Sequence, residues 1–123
     1  MKKIPILMVV EDDRLTLKVY EKLLSPHFEI IFCSSVEEYF NNLNLNKFDM
    51  FIVDISLKSD VDGVQLIRGL REMDAYKNTP VIVITAHAFM RDERKAMDAG
   101  ATEFLRKPID NKYLLESLAR YVN

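Results

Sequence analysis

Phe51-Ile52-Val53-Asp54 decides how the rest of this chain is read. Three apolar residues, two with high strand preference, run into a single carboxylate, and polar sequence through Asp62-Gly63 follows. A short apolar run bounded by turn signals reads as a buried strand. An acid at its exit stands where a sheet meets water. Alone, Asp54 would be read as a turn former or the cap of the next helix. The surrounding pattern gives it a different meaning.

Upstream, Ile4 to Val10 reads as a first strand with Pro5 tolerated near its start, and Glu11-Asp12-Asp13 follow directly. Asp13 is a suitable N-cap for a helix over Arg14 to Leu24 that presents Leu17, Tyr20 and Leu24 on one face and stops at Ser25-Pro26. Glu29 to Cys33 reads as a second strand. Ser34-Ser35 caps a helix from Val36 to Leu43, with Glu37 and Glu38 in its first turn, before an asparagine-rich loop. The stretch from Met50 to Asp54 is therefore the third strand.

Downstream, Asp62-Gly63 reads as a turn, and Val64 to Met73 as a helix with Leu66, Ile67, Leu70 and Met73 inward. Gly69 within it costs about 1 kcal/mol against alanine, and no sequence feature accounts for it. Val81 to Ile84 is a β-branched fourth strand ending at Thr85. Met90 to Ala99 is a weakly amphipathic helix closed by Gly100. Glu103 to Arg106 is a short fifth strand ended by Lys107-Pro108, and Asn111 to Tyr121 a last helix burying Leu114, Leu115 and Leu118, with Tyr121 or Val122.

Five strand–helix pairs in alternation imply an α/β fold, a parallel sheet with helices on both faces. The 123 residues suit one domain, 1–123, without repeats or linkers. Net charge is −2 without a basic run, so neither nucleic acid nor a membrane surface is an expected partner. No apolar run is long enough to span a bilayer and no signal peptide is read. Cys33 is the only cysteine, which rules out an internal disulfide; in Ile30-Ile31-Phe32-Cys33 it reads as a buried, inert thiol. The expected location is cytoplasmic.

In a parallel sheet, whatever follows each strand lies on one edge: here Glu11 and Asp12, Ser34, Asp54, Thr85 and Lys107. Ligands in open α/β sheets bind at that edge. If the first and third strands are neighbours, Asp12 and Asp54 approach each other. Clustered carboxylates are costly unless a cation offsets them, and a hard divalent ion such as Mg²⁺ suits oxygen ligands. Acids, one hydroxyl and one lysine suit a phosphoryl group on Asp54, with the carboxylate as nucleophile and Lys107 paired to a phosphoryl oxygen.

At these residues the chain resembles the receiver domain of two-component response regulators. The matching pieces are Val9-Val10-Glu11-Asp12-Asp13, Ile52-Val53-Asp54, Asp62-Gly63, Val83-Ile84-Thr85-Ala86, Ala99-Gly100-Ala101 and Lys107-Pro108, covering essentially the whole length. The resemblance implies a flavodoxin-like five-stranded parallel sheet of order 2-1-3-4-5. It makes Asp54 the phosphoacceptor for a histidine kinase or phosphotransfer protein. It makes Asp12 and Asp54 ligands of Mg²⁺ or Mn²⁺, joined by the Ser56 backbone carbonyl, with Glu11 acting through water. Thr85 and Phe104 take the switch positions, though a buried Phe104 is equally explained as core; Lys107 pairs with the phosphoryl group, and the Lys107-Pro108 bond is expected to be cis. A protein of unknown identity would read the switched surface of the fourth helix, fifth strand and fifth helix. The domain would assist only its own phosphorylation and dephosphorylation.

The chain departs from the pattern at Lys58, where the family often has proline, and in a loop one residue longer that carries Asp60 and Asp62. Ser56 and His87 occupy positions that modulate phosphoryl loss in the family, or are inert rim residues. Two other readings stand beside this one. A receiver relative that only binds protein would not need the acid–threonine–lysine set. A Mg²⁺-dependent phosphohydrolase like the haloacid dehalogenases would carry Asp-x-Asp after its first strand, where this chain has Glu11-x-Asp13, and no cap domain is visible. The sequence ends with the fifth helix, so no effector domain is expected after it; a stand-alone regulator and a piece of a larger protein are both open.

Overall fold

A computed structural model describes residues 4–57, 61–86 and 89–122; the expectations placed on Lys58, Asp60 and His87 lie outside the described residues. Five parallel strands, β1 (Ile6–Val10), β2 (Glu29–Cys33), β3 (Met50–Val53), β4 (Val81–Thr85) and β5 (Glu103–Arg106), form one sheet in the order β2-β1-β3-β4-β5. The order reverses between β1 and β3, so these two strands are central neighbours, in register with Val9 beside Ile52 and Val10 beside Val53.

Alternation along each strand divides the core. Met8, Val10, Phe51, Val53, Val81 and Val83 face one side of the sheet; there they meet Tyr39 and Leu43 of α2 (Val36–Leu43), Leu66, Ile67 and Leu70 of α3 (Gly63–Glu72), and Ala96 and Ala99 of α4 (Met90–Ala99). Leu7, Val9, Met50, Ile52, Ile82 and Ile84 face the other side and meet Tyr20 and Leu24 of α1 (Arg14–Leu24) and Leu114 and Leu118 of α5 (Asn111–Ala119). Both faces are covered, which is why the central strands read as continuous apolar runs. Each large side chain fully buried here contributes roughly 1.5–3 kcal/mol.

Local chemistry sets the boundaries. Asp13 caps α1 by accepting from the Thr16 N–H, and Ser35 caps α2 by accepting from that of Glu38. β1 begins at Ile6, although the Pro5 carbonyl still accepts from the Glu29 N–H; Pro5 has no N–H of its own to give. Asp62-Gly63 is more than a turn: Asp62 caps α3 and exchanges hydrogen bonds with Gln65 in a capping box, so the helix starts at Gly63 and ends at Glu72. Gly100, at φ +117°, closes α4 in the left-handed conformation. The Lys107–Pro108 bond is cis, as expected.

Two features were not foreseen. A single 3₁₀ turn, Asp74–Tyr76, follows α3 and buries Tyr76, whose hydroxyl donates to the Asn46 carbonyl and accepts from the Phe48 N–H, each at 3.3 Å. The last helix stops at Ala119, leaving Tyr121 and Val122 half-buried beyond it; the Tyr121 hydroxyl donates to Glu103 at 2.6 Å.

Candidate functional site at the carboxyl edge of the sheet

The carboxyl ends of β1, β3, β4 and β5 deliver one polar residue each, and the sheet ladder continues just far enough to hold them. The Glu11 N–H donates to the Cys33 carbonyl, that of Asp54 to Val10, and that of Lys107 to Thr85, all at 3.0 Å. The backbones of Glu11, Asp54 and Lys107 are thus extensions of the sheet, and Thr85 is the last residue of β4. Their side chains are preorganised by a rigid element rather than by a loop.

Glu11, Asp54 and Thr85 are buried, at 2%, 4% and 0% exposure. Lys107 Nζ donates to Glu11 Oε1 at 2.5 Å and to Asp54 Oδ2 at 3.2 Å. Asp54 Oδ1 accepts from the Ser56 N–H at 2.9 Å and the Ser56 hydroxyl at 2.7 Å, and the Thr85 side chain also hydrogen-bonds to Asp54. Glu11 Oε2 accepts from the Asp13 N–H at 3.1 Å. The structure therefore brings Glu11, Asp54, Ser56, Thr85 and Lys107 together, with the Ser56 side chain bonded to Asp54.

The two acids respond oppositely to this environment. Burial acts to raise the Asp54 pKa, but the two Ser56 hydrogen bonds, the Lys107 charge and the Thr85 bond outweigh it and hold the carboxyl below its ordinary value. Burial dominates at Glu11 and raises its pKa, with the neighbouring Asp54 charge adding to the effect against the Lys107 bond. Burial alone would lower Lys107; its bond to Glu11 and the two acidic charges raise it instead. One lysine against two buried carboxylates leaves a net negative site. Asp54 has the donors to remain ionised, and Glu11 bears the strain.

Asp12, next to Glu11 in the chain, is half-buried. Among the described residues, no three acidic, histidine or cysteine side chains converge on one metal position. The expected set asks for less: Asp12, Asp54 and the Ser56 carbonyl, with water completing the shell, is the sparse oxygen coordination typical of Mg²⁺. The excess negative charge of the cluster and its all-oxygen donors fit such an ion. Phe104 lies in the core on the α2–α4 side, with the Arg106 guanidinium 5.5 Å from its ring centre.

Two residues near the site have roles that the sequence reading did not give them. Gly63 lies against the exit of β3: a Cβ there would stand 2.6 Å from the Asp54 carbonyl oxygen and 2.7 Å from Ile55 Cα. Only its place before a helix hinted at this. Tyr20, read as core, is buried close enough to the acids that burial first, and then the Glu11 and Asp54 charges, raise its pKa.

The chain matches the family model of the response regulator receiver domain over residues 7–119. It is 32% identical over 117 residues to the signal transduction histidine-protein kinase BarA of Escherichia coli (strain K12), an alignment that takes in 93% of this chain but only 12% of the kinase. It is 28% identical over 116 residues to the polar-differentiation response regulator DivK of Brucella anthropi, with 94% of each chain covered. Its fold is similar to the receiver domain of the sensor histidine kinase PA1611 from Pseudomonas aeruginosa PAO1, a structure with a magnesium ion coordinated in its active site cleft (TM-score 0.85, 23% identity, 97% of this chain and 98% of that one).

Proposed function

The chain belongs to the response regulator receiver domain family, and we propose that it accepts a phosphoryl group on Asp54 from a histidine kinase or phosphotransfer protein and passes the change to a downstream protein. The observation that carries this reading is a buried carboxylate at the sheet edge with Lys107 Nζ 3.2 Å away and Ser56 and Thr85 bonded to it, donors that lower its pKa and so favour its ionised form. Ionisation is what a carboxylate nucleophile needs.

In the transfer, an Asp54 carboxylate oxygen forms a bond to phosphorus as the bond from phosphorus to the donor's nitrogen or oxygen breaks, and the donor leaves with that electron pair. Lys107, shared with Glu11 beforehand, pairs with an oxygen of the arriving group. The Thr85 hydroxyl donates to the same group, and Phe104 repacks with it. Asp12, Asp54 and the Ser56 carbonyl would hold a divalent ion, with Glu11 acting through water; bound there, Mg²⁺ or Mn²⁺ supplies positive charge that offsets the phosphoryl oxygens. The domain acts on its own aspartate only, is not an enzyme toward other substrates, and works in the cytoplasm. No helix among the described residues is long and apolar enough to cross a membrane.

The phosphohydrolase alternative is less well supported, because the acid it would need after β1 is engaged elsewhere. Asp13 accepts from both the N–H and the hydroxyl of Thr16, at 3.0 and 2.6 Å, as the cap of α1.

The test is intact-protein mass after incubation with acetyl phosphate, with and without Mg²⁺, for wild type and Asp54→Asn. One phosphoryl group gained by wild type alone, and only with metal, is the expected result. Absence of an adduct together with no response to beryllofluoride would overturn the reading in favour of a receiver relative that binds protein without phosphorylation.

A further inference from the structure

The two ends of α4 are held in different ways. At its carboxyl end, Ala96 and Ala99 are buried against α3. Just beyond, the Arg71 guanidinium donates from Nε to the Gly100 carbonyl at 2.9 Å, and from Nη1 to the carbonyls of Tyr76 and Thr79 at 2.8 and 2.6 Å. One planar fork from the end of α3 thus ties together the 3₁₀ turn, the entry to β4 and the turn that closes α4. Its stem occupies the space beside Gly100, where a Cβ would lie 2.6 Å from Arg71 Cγ.

Among the described residues, the amino end shows no anchor comparable to the Arg71 fork. Among the described residues, none from Phe89 to Lys95 is fully buried; Phe89 and Met90 are 64% and 72% exposed. Phe89, at the N-cap position, gives no side-chain capping bond. Among the described residues, an exposed ion pair links this end to the sheet, Glu93 to Arg106 at 2.6 Å, of a type that contributes about 0–1 kcal/mol. This end follows Thr85 of the acid site by a few residues.

We infer that Arg71 is the pivot of α4: it fixes the carboxyl end of the helix to the body, so that displacement of α4 is a tilt of its amino end about Gly100. With a rise of 1.5 Å per residue, a ten-residue helix is a rod about 15 Å long, and a small change near Thr85 then swings its exposed first turns without sliding the helix. Arg71 is a positioning residue, and the inference stands on the fold, independent of phosphoryl acceptance.

Amide hydrogen exchange of the metal-free protein, without phosphodonor, tests it. In wild type, the amides of residues 98–101 are expected to exchange at least about tenfold more slowly than those of 93–95. Arg71→Lys keeps charge and stem but loses the fork, and Arg71→Met loses both charge and donors. Each should erase that gradient by speeding exchange at 98–101, with β1 and β3 unchanged. Glu93→Gln, at the surface, should speed exchange at 93–95 alone. Equal exchange along α4 in wild type would overturn the inference. So would an Arg71→Lys effect spread evenly over all elements, or a Glu93→Gln effect reaching 98–101.

Discussion

Lys107 Nζ lies closer to Glu11 Oε1, at 2.5 Å, than to Asp54 Oδ2, at 3.2 Å. The lysine that would meet the incoming phosphoryl group is thus shared, and its tighter partner is the acid that does not accept the group. Removing the cation leaves two buried carboxylates without their counter-charge. Lys107→Met should therefore destabilise the protein by about 2–3 kcal/mol at pH 7, less than for a fully buried pair because the lysine is partly solvated. The loss should shrink in acid as the carboxylates protonate. Urea unfolding at pH 7 and pH 4 measures both.

Glu11 and Asp54 should respond to neutralisation with opposite signs. Asp54 has a folded pKa below its ordinary 3.8, so its contribution to stability is present above that value and is lost as pH falls through the folded pKa. Glu11 has a folded pKa above its ordinary 4.5, so its ionisation opposes folding at neutral pH, and the penalty is relieved as pH falls through the folded pKa. In metal-free buffer at pH 7, Glu11→Gln should raise the urea midpoint and Asp54→Asn should lower it. Both differences should fade toward pH 3. Shifts of the same sign at pH 7 would contradict this assignment of the charge strain.

Two glycines of α3 should give opposite results on conversion to alanine. At Gly63 the added Cβ meets backbone on β3's exit, which cannot yield cheaply; Gly63→Ala should cost about 1–3 kcal/mol and slow phosphorylation of Asp54 by shifting its carbonyl. At Gly69 nothing lies within 4 Å of the new Cβ and the backbone is helical, so Gly69→Ala should stabilise by about 0.5–1 kcal/mol. Thermal unfolding of the two variants reads the contrast directly.

Cys33 should be silent in the native protein. It is fully buried, and burial, with the Glu38 charge adding, pushes its thiol up to about 11. Iodoacetamide at pH 8 should label it only in denaturant. Native labelling at the rate of a free thiol would mean that β2 opens readily.

By itself, the sequence determined the alternation of elements, because strand runs, caps and breakers are local chemistry: Asp13, Ser35 and Gly100 act where their residue types indicate. It also determined which residues reach one edge, because in a parallel sheet every strand exit does. Only the tertiary structure decided how those residues share charge, since that depends on distances between side chains far apart in sequence. Lys107 and Glu11 are 96 positions apart, and nothing in either segment shows that the lysine favours Glu11 over Asp54. The same holds for Gly63, whose need for no side chain is set by the approach of α3 to β3, and for Arg71, a surface-like arginine in the sequence whose partners come from three separate turns. Local propensity is written in neighbouring residues; the partition of charge and space is settled when packing brings distant ones together.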